Sequence, residues 1–203
     1  MGFLGNALRP GVLGGEFMLR MMDFSRRDVS DWGMSKISVN ERADILDAGC
    51  GSGANMAAWL KKCGQGHVTG IDYSKACVEI SGRRNASALR EKRCRVVRGS
   101  VSDLPFADGT FDCVSAFETI YFWQDLKQCF REVHRVLKKG GLFLICNDSD
   151  GKDSISQGWA RLNGNGKMYT RCQICAALKE AGFSSVESYG DVRKHRLCIV
   201  VKK

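Results

Sequence analysis

The sequence predicts an α/β fold built around a parallel sheet, and three observations lead to this prediction. From residue 43 onward, short apolar runs of strand length alternate with longer segments of helical periodicity. Gly is frequent, with 23 residues, and Pro is rare, with 2, which indicates many tight turns between regular elements. Strands joined through helices and short turns run parallel, because each helix returns the chain to the same end of the sheet.

The first half of the alternation has two strands and two helices. An apolar strand over 43–48 ends in a glycine-rich turn, and a helix over 53–63 follows. The second strand spans 67–72. Ser74 then suits the N-cap of a long helix that runs to about residue 91. The pattern therefore predicts one complete strand–helix–strand–helix unit at the start of the sheet.

The second half continues with three strands and one helix. The strands are expected at 94–97, 111–117 and 142–147, and the helix at 124–138. The run Lys138-Lys139-Gly140-Gly141 is interpreted as the end of that helix. Its two cations suit the negative end of the helix dipole, and glycine allows the chain to leave the helix.

The last elements are a capped helix and two closing strands. Thr170 is predicted to cap the helix, which stops at Gly182. Strands over 186–189 and 197–201 follow. The chain therefore ends in two strands without an intervening helix.

Two segments lack the regular pattern. Residues 1–42 are interpreted as one or two helices, and residues 148–169 as a flexible loop rich in Gly, Asn, Asp and Ser. Ligands of parallel α/β folds bind at the carboxyl ends of the strands. We expect both segments to cover that edge, with 1–42 as an N-terminal helical lid and 43–203 as the ligand-binding domain.

Composition excludes several classes of protein. The chain has 203 residues, of which 44% are hydrophobic and 26% charged, so wholesale disorder is excluded. No apolar run has the length of a membrane span and no leader pattern precedes the domain, so we expect a cytoplasmic protein without membrane association. The ten Cys are scattered and lack zinc-site spacing; reduced, mostly buried thiols and no bound metal are expected.

The glycine-rich turn after the first strand is the most informative motif. Gly49, Gly51 and Ala54 satisfy the dinucleotide pattern G-x-G-x-x-G/A, and Asp72 follows at the expected distance. Glycine here permits positive φ and close approach of the backbone to a ligand. An acid at the end of the next strand accepts hydrogen bonds from ribose hydroxyls. The motif alone fits either NAD or another nucleoside cofactor.

Two details favour S-adenosylmethionine over NAD. Asp47 precedes the first glycine by two residues, where a dinucleotide would place its pyrophosphate, and a carboxylate would repel that group. The ammonium of a methionyl group would instead be attracted. The glycines also run G-x-G-x-G, because Gly53 is present as well.

Several motifs in the expected order strengthen this choice. At these positions the chain resembles the class I S-adenosylmethionine-dependent methyltransferases, of the small-molecule type with a methyltransferase domain 11-like sequence. The matching stretches are Asp47–Gly53, Gly70–Ser74, Asp103–Phe106, Thr110–Asp112, Glu132–Gly141 and Ala181–Phe183. They span roughly residues 43–190. The resemblance implies a Rossmann-like, mostly parallel seven-stranded sheet of order 3-2-1-4-5-7-6 with helices on both faces.

The resemblance also implies which residues contact the cofactor. It assigns the methionyl part to Asp47 and the backbone of Gly49–Gly53, the ribose to Asp72, and the adenine to Tyr73 and either Ser102 or Asp103. Ser100 stands where the family often has an acid, so Val101 is expected to supply a backbone N–H instead. The expected contacts are Asp47, Gly49, Cys50, Gly51, Gly53, Asp72, Tyr73, Val101, Ser102 and Phe117.

The acceptor site is expected just after the fourth strand, in the aromatic-rich stretch 116–123. Glu118 and Tyr121 are the candidate catalytic residues, which would orient or deprotonate an acceptor. Direct displacement on a methyl carbon needs in-line geometry and a water-poor pocket more than a dedicated acid. A general base is therefore not required, and the aromatic residues have core packing as their alternative role.

The expected acceptor is a small molecule, and three alternatives stay open. The net charge of +9, with a basic cluster from Arg83 to Arg98, keeps RNA as an acceptor under consideration. A solvated helix face explains the same charges. A protein acceptor is the second alternative, and an NAD-binding oxidoreductase or noncatalytic nucleotide-binding module is the third. A monomer or a homodimer is expected.

Overall fold

The computed structural model describes residues 27–152, 158 and 167–203, and within these ranges the chain forms one seven-stranded sheet. Helical residues 27–34, here called α1, come first. Further helices with described bounds are α2 (Ala54–Lys62), α3 (Lys75–Arg84), α4 (Ala86–Arg90), α5 (Leu126–Val136) and α6 (Arg171–Glu180), and a single 3-10 turn spans Ile120–Phe122. The strands are β1 (Asp44–Ala48), β2 (His67–Asp72), β3 (Cys94–Arg98), β4 (Phe111–Phe117), β5 (Leu137–Asn147), β6 (Ser185–Asp191) and β7 (Arg196–Lys202).

The strand order is β3-β2-β1-β4-β5-β7-β6, which confirms the expected topology. The strands β1 to β5 pair in parallel, and β7 runs antiparallel to both of its neighbours. β7 can be antiparallel because it follows β6 directly, with no helix to return the chain to the starting edge. The carboxyl ends of β1, β2, β4 and β5 consequently lie at one edge, which is where ligands bind in such sheets.

Apolar side chains cover both faces of the sheet. One cluster joins the sheet to α5 and α6, with Phe130 and Leu178 fully buried between them. The other joins it to α1 and α2, with Met34 and Trp59 fully buried. Alternate residues of each buried strand supply the two clusters, as expected for a parallel sheet covered on both sides. The prediction of helices on both faces is confirmed.

Two predicted boundaries are wrong. The helix expected up to residue 91 divides into α3 and α4 at Asn85, whose buried amide donates to Ser81 O and Gly53 O. The run 138–141 belongs to β5 rather than to the preceding helix. Lys138 bonds Asp112 and Asp44 at the amino ends of β4 and β1, so these carboxylates hold the basic residue against the sheet.

The other boundaries agree closely with prediction. β2 and β4 have the predicted limits, and Ser74 caps α3 by accepting from Cys77 N. Thr170 and Gln173 form a reciprocal capping box at the start of α6. The loop prediction for 148–169 lies largely outside the described residues, as does most of the predicted lid 1–42.

Candidate functional site

The glycine loop connects β1 to α2 and is closed onto the end of β2. Gly49 N and Cys50 N both donate to Ile71 O, at 2.8 and 3.0 Å. Gly49, Gly51 and Gly53 have φ of +79°, +52° and +76°, a region that disfavours residues with a Cβ. The three glycines predicted from the sequence are therefore required by the backbone of this turn.

The surroundings of the three glycines differ. A Cβ on Gly49 would lie 2.0 Å from Thr119 Oγ1, and one on Gly53 would lie 2.3 Å from Ser81 Oγ. At Gly51 no atom lies within 4 Å of that position. Gly49 and Gly53 are thus packed inside the protein, whereas Gly51 presents bare backbone to open space.

Asp72 is brought against this loop. Its carboxylate accepts from Gly51 N at 3.0 Å and from Ser74 N at 2.9 Å. Burial raises the pKa of Asp72, and the two backbone N–H groups oppose this rise by stabilising the anion. Each oxygen retains a lone pair beyond its backbone bond, so the carboxylate can still accept from a ligand.

Asp47, the last but one residue of β1, is 2% exposed. Its Oδ1 accepts from Ser115 Oγ at 2.9 Å, while its Oδ2 is buried without a hydrogen-bond partner. Desolvation raises its pKa to about 7; Asp72 adds to the rise and Ser115 opposes it. Because the unfolded pKa is near 4, this group makes the protein less stable as pH rises from about 4 to 7. A cationic ligand would relieve that cost.

The expected adenine side is more open. Tyr73 is 72% exposed at the end of β2, and Val101 is buried. Ser102 is half-buried, with its hydroxyl 2.7 Å from that of Ser100. Cys50 is buried and the pKa of its thiol is raised, mainly by desolvation, so it is a packing residue of the loop rather than a nucleophile.

Glu118 and Tyr121 meet at the carboxyl end of β4. Tyr121 OH donates to Glu118 Oε1 at 3.0 Å, and Asp148 N donates to the same oxygen. Glu118 has φ of +55°, in the left-handed region, and its N–H donates to Cys146 O. Such strain in a non-glycine residue is concentrated at functional sites. Phe117, immediately before, is buried against Trp59 with ring centroids 6.5 Å apart.

Sequence reasoning missed three polar residues of this edge. Ser115 and Trp59 form a hydrogen-bonded chain to Asp47, since Trp59 Nε1 donates to Ser115 Oγ at 3.0 Å. Asn147 is 1% exposed, and neither atom of its side-chain amide has a partner. Asn147 could have been found as the last residue of a strand predicted to end at the ligand edge. Ser115 has no comparable signal, because its role depends on pairing between β1 and β4.

Helix α1 packs at the same edge. Cys146 Sγ donates to Val29 O at 3.4 Å. Gly33 also packs closely against Cys146 and Phe117, since a Cβ on Gly33 would lie only 2.7 Å from Cys146 Sγ. Arg196, at the start of β7, bonds Asp28 of α1 and, at 2.8 Å, Asp148 after β5. Arg196 thereby links α1 to the segment after β5, in which Asp148 contacts Glu118.

No described helix is long and apolar enough to cross a membrane. Within the described ranges, no group of three or more His, Cys, Asp or Glu side chains is arranged to hold a metal ion. Cys172 and Cys175, the one C-x-x-C pair, are free thiols on α6.

Comparison with known proteins identifies relatives of this fold and sequence. A family model described as a methyltransferase domain matches residues 46–145, which include β1, the glycine loop and most of β5. The chain is 25% identical over 167 residues to YdaC of Bacillus subtilis, described as an uncharacterised methyltransferase, with 82% of this chain and 86% of YdaC covered.

A second relative is 24-methylenesterol C-methyltransferase 3 of Arabidopsis thaliana, 30% identical over 161 residues. The match covers 74% of this chain but only 44% of that protein. Among solved structures, the complex of the Haloferax volcanii Trm112 methyltransferase activator with its methyltransferase matches with a TM-score of 0.83 and 19% identity. It covers 93% of this chain and 94% of the matched chain.

Proposed function

We propose that this chain, which belongs to the class I S-adenosylmethionine-dependent methyltransferases, transfers a methyl group to a small-molecule acceptor at the carboxyl edge of its sheet. The family assignment displaces the NAD-dependent alternative. The observation that carries the proposal is the buried carboxylate of Asp47, whose Oδ2 lacks a partner beside an open glycine loop. A buried anion with a free oxygen favours a cationic ammonium and disfavours a pyrophosphate.

The charge and exposure of the described residues support a place for each part of this cofactor. Asp47 would take the methionyl ammonium, Asp72 the ribose hydroxyls, and exposed Tyr73 the adenine face. Gly51 leaves room for close approach of the ligand to the backbone. When bound, S-adenosylmethionine supplies an electrophilic methyl group on its sulfonium. Phe117 lies at the end of β4, where an aromatic ring would attract that positive charge.

The acceptor would lie beside Glu118, Tyr121 and Asn147. Glu118 Oε1 accepts from Tyr121 OH and from the backbone N–H of Asp148. Asp148 directly follows Asn147, so Asn147 lies near the same carboxylate. Asn147 lies on the same face of the sheet as Ile145, and it pairs with Leu197 of β7. Ile145 and Leu197 belong to the apolar cluster that also contains Tyr121. The unpartnered amide of Asn147 favours a methyl-accepting substrate that carries both a hydrogen-bond donor and a hydrogen-bond acceptor. The sterol methyltransferase among the relatives supports a small molecule.

Titration calorimetry with S-adenosylhomocysteine tests the cofactor assignment. We expect saturable binding by the folded chain, and no binding would refute the proposal. Incubation of a metabolite extract with methyl-labelled S-adenosylmethionine and the protein should then label a small molecule. Label in RNA or in protein instead would support the alternative acceptor classes. Steep salt dependence of nucleic-acid binding would favour RNA among them.

Replacing Glu118 by Gln should reduce methyl transfer about 100-fold, because the variant loses the charge that orients or deprotonates the acceptor. The affinity for S-adenosylhomocysteine should change by less than about twofold. Single-turnover assays with the acceptor returned by the extract screen measure both values. Glu187→Gln is the matched control, since Glu187 also accepts from a tyrosine, Tyr189, but on distant β6. A wild-type rate for Glu118→Gln would remove Glu118 from the reaction.

We further propose that segment 1–42 covers the acceptor side, as the position of α1 supports. Replacing Arg196 by Gln should release α1, because the variant loses both of its ion pairs. Hydrogen exchange in residues 27–34 should become faster, and stability should fall by about 2 kcal/mol. Arg193→Gln is the control, as Arg193 is exposed on the turn just before β7. Unchanged exchange would show that Arg196 does not hold the helix.

A further inference from the structure

A buried chain of three polar side chains ends at Asp47. Trp59 Nε1 donates to Ser115 Oγ at 3.0 Å, and Ser115 Oγ donates to Asp47 Oδ1 at 2.9 Å. Trp59 and Ser115 are completely buried and Asp47 nearly so. The three residues lie on three different elements, α2, β4 and β1. These hydrogen bonds therefore depend on the tertiary fold, and they lie directly behind the proposed methionyl subsite.

The direction of the hydrogen bonds is fixed by chemistry. An indole N–H only donates, so Ser115 Oγ must accept from Trp59. The single hydroxyl proton is then directed to Asp47 Oδ1, since the other acceptor in reach, Leu46 O, is more distant at 3.5 Å. The bond constrains the carboxylate on its Oδ1 side and leaves Oδ2 without a partner. This arrangement presents one oxygen of a fixed carboxylate.

We propose that Ser115, oriented by Trp59, is a positioning residue that fixes the carboxylate of Asp47 and directs its free Oδ2 to the ammonium of the cofactor's methionyl group. This inference rests on the proposed function and assigns two residues that do not themselves touch the cofactor. It predicts that Ser115 matters only for ligands that carry the amino group.

The charged and titratable groups around Asp47 give Ser115 this importance. Asp72 at the end of β2 repels the Asp47 charge, and the thiols of Cys50 and Cys113 interact with it from the loop and from β4. Among the described residues, no cation contributes to the shift, and desolvation disfavours the anion further. The Ser115 hydroxyl is the group that lowers the pKa of Asp47. Removing it should raise that pKa above about 7.

Two probes separate this role from general stabilisation. S-adenosylhomocysteine carries the amino acid group, whereas 5′-methylthioadenosine keeps the nucleoside and lacks that group. For Ser115→Ala we expect about tenfold weaker binding of S-adenosylhomocysteine, as for loss of a hydrogen bond to a charged group. The pH at which its affinity reaches half of its plateau should move upward. Binding of 5′-methylthioadenosine should stay unchanged at every pH.

Further variants keep the test decisive. Ser115→Cys retains a weak donor if the alanine variant fails to fold, and it should give a smaller loss in the same direction. In the Asp47→Asn background, adding Ser115→Ala should neither shift the pH midpoint nor cost further affinity. Thr69→Val is the matched control, because it removes a buried hydroxyl from neighbouring β2.

The outcomes distinguish this inference from the proposed function. If wild-type protein does not bind S-adenosylhomocysteine, the proposed function fails. If wild type binds but Ser115→Ala shows the same affinity and the same pH midpoint, only the positioning role fails. Equal losses for both probes would likewise overturn the inference, since they would mark Ser115 as a structural residue of the whole pocket.

Discussion

Asp72→Ala is expected to weaken binding of S-adenosylhomocysteine at least tenfold, which corresponds to about 1.4 kcal/mol. Two losses combine in this variant. The carboxylate can no longer accept charge-assisted hydrogen bonds from the ribose hydroxyls. The N–H groups of Gly51 and Ser74 also lose their acceptor, so the glycine loop is less firmly held. Titration calorimetry gives the affinity.

Two controls isolate the ribose contact. Glu79→Ala removes an exposed carboxylate from α3, the helix that follows β2, and should leave the affinity within about twofold of wild type. Asp72→Asn keeps an oxygen for one backbone N–H and should lose less affinity than the alanine variant. Unchanged affinity for a folded Asp72→Ala protein would show that another group binds the ribose.

Gly53→Ala should mainly reduce stability, whereas Gly51→Ala should mainly reduce cofactor binding. Gly53 is enclosed, and a Cβ would meet Asn85 Nδ2 at 2.6 Å and the backbone Cα of Ser81 at 3.0 Å. With a φ of +76° as well, we expect a loss of about 3 kcal/mol in the free energy of unfolding. Gly51 has open space, so its variant should lose only about 1 kcal/mol, from backbone strain.

The same Gly51→Ala variant should bind S-adenosylhomocysteine at least about tenfold more weakly, because its methyl group enters the space proposed for the ligand. Urea denaturation measures the stability of both variants and calorimetry the affinity. Equal stability losses, or normal binding by Gly51→Ala, would contradict the division between a packed glycine and an open one.

The sequence predicted most elements because their signals are local. Strand limits such as 111–117 follow from apolar runs, and the caps at Ser74 and Thr170 follow from side chains that bond the next turn. The two errors came from distant partners. Asn85 divides a helix by bonding the loop of Gly53, and Lys138 joins β5 through carboxylates on β1 and β4.

The residues of the candidate site also divide into those predicted from local sequence and those that only the fold brings into place. Asp47, Gly51 and Asp72 were found from their spacing around a turn, and the structure brings them together. The roles assigned to them, and to Glu118 and Tyr121, stay predictions for the experiments above. The basic cluster from Arg83 to Arg98 is partly structural, since Arg93 donates to three backbone carbonyls, one in the last turn of α2 and two in the turn that leads to β2.

The sequence by itself predicted the family, the glycine loop and the edge of the sheet at which a ligand is expected, because periodicity, capping and glycine requirements act over a few residues. Only the tertiary structure decided which polar groups support that loop. Ser115 reaches Asp47 across 68 residues of chain, through the pairing of β4 with β1, and Arg196 reaches Asp28 across 168. Such contacts depend on strand order and register, which bring together residues that no local pattern connects.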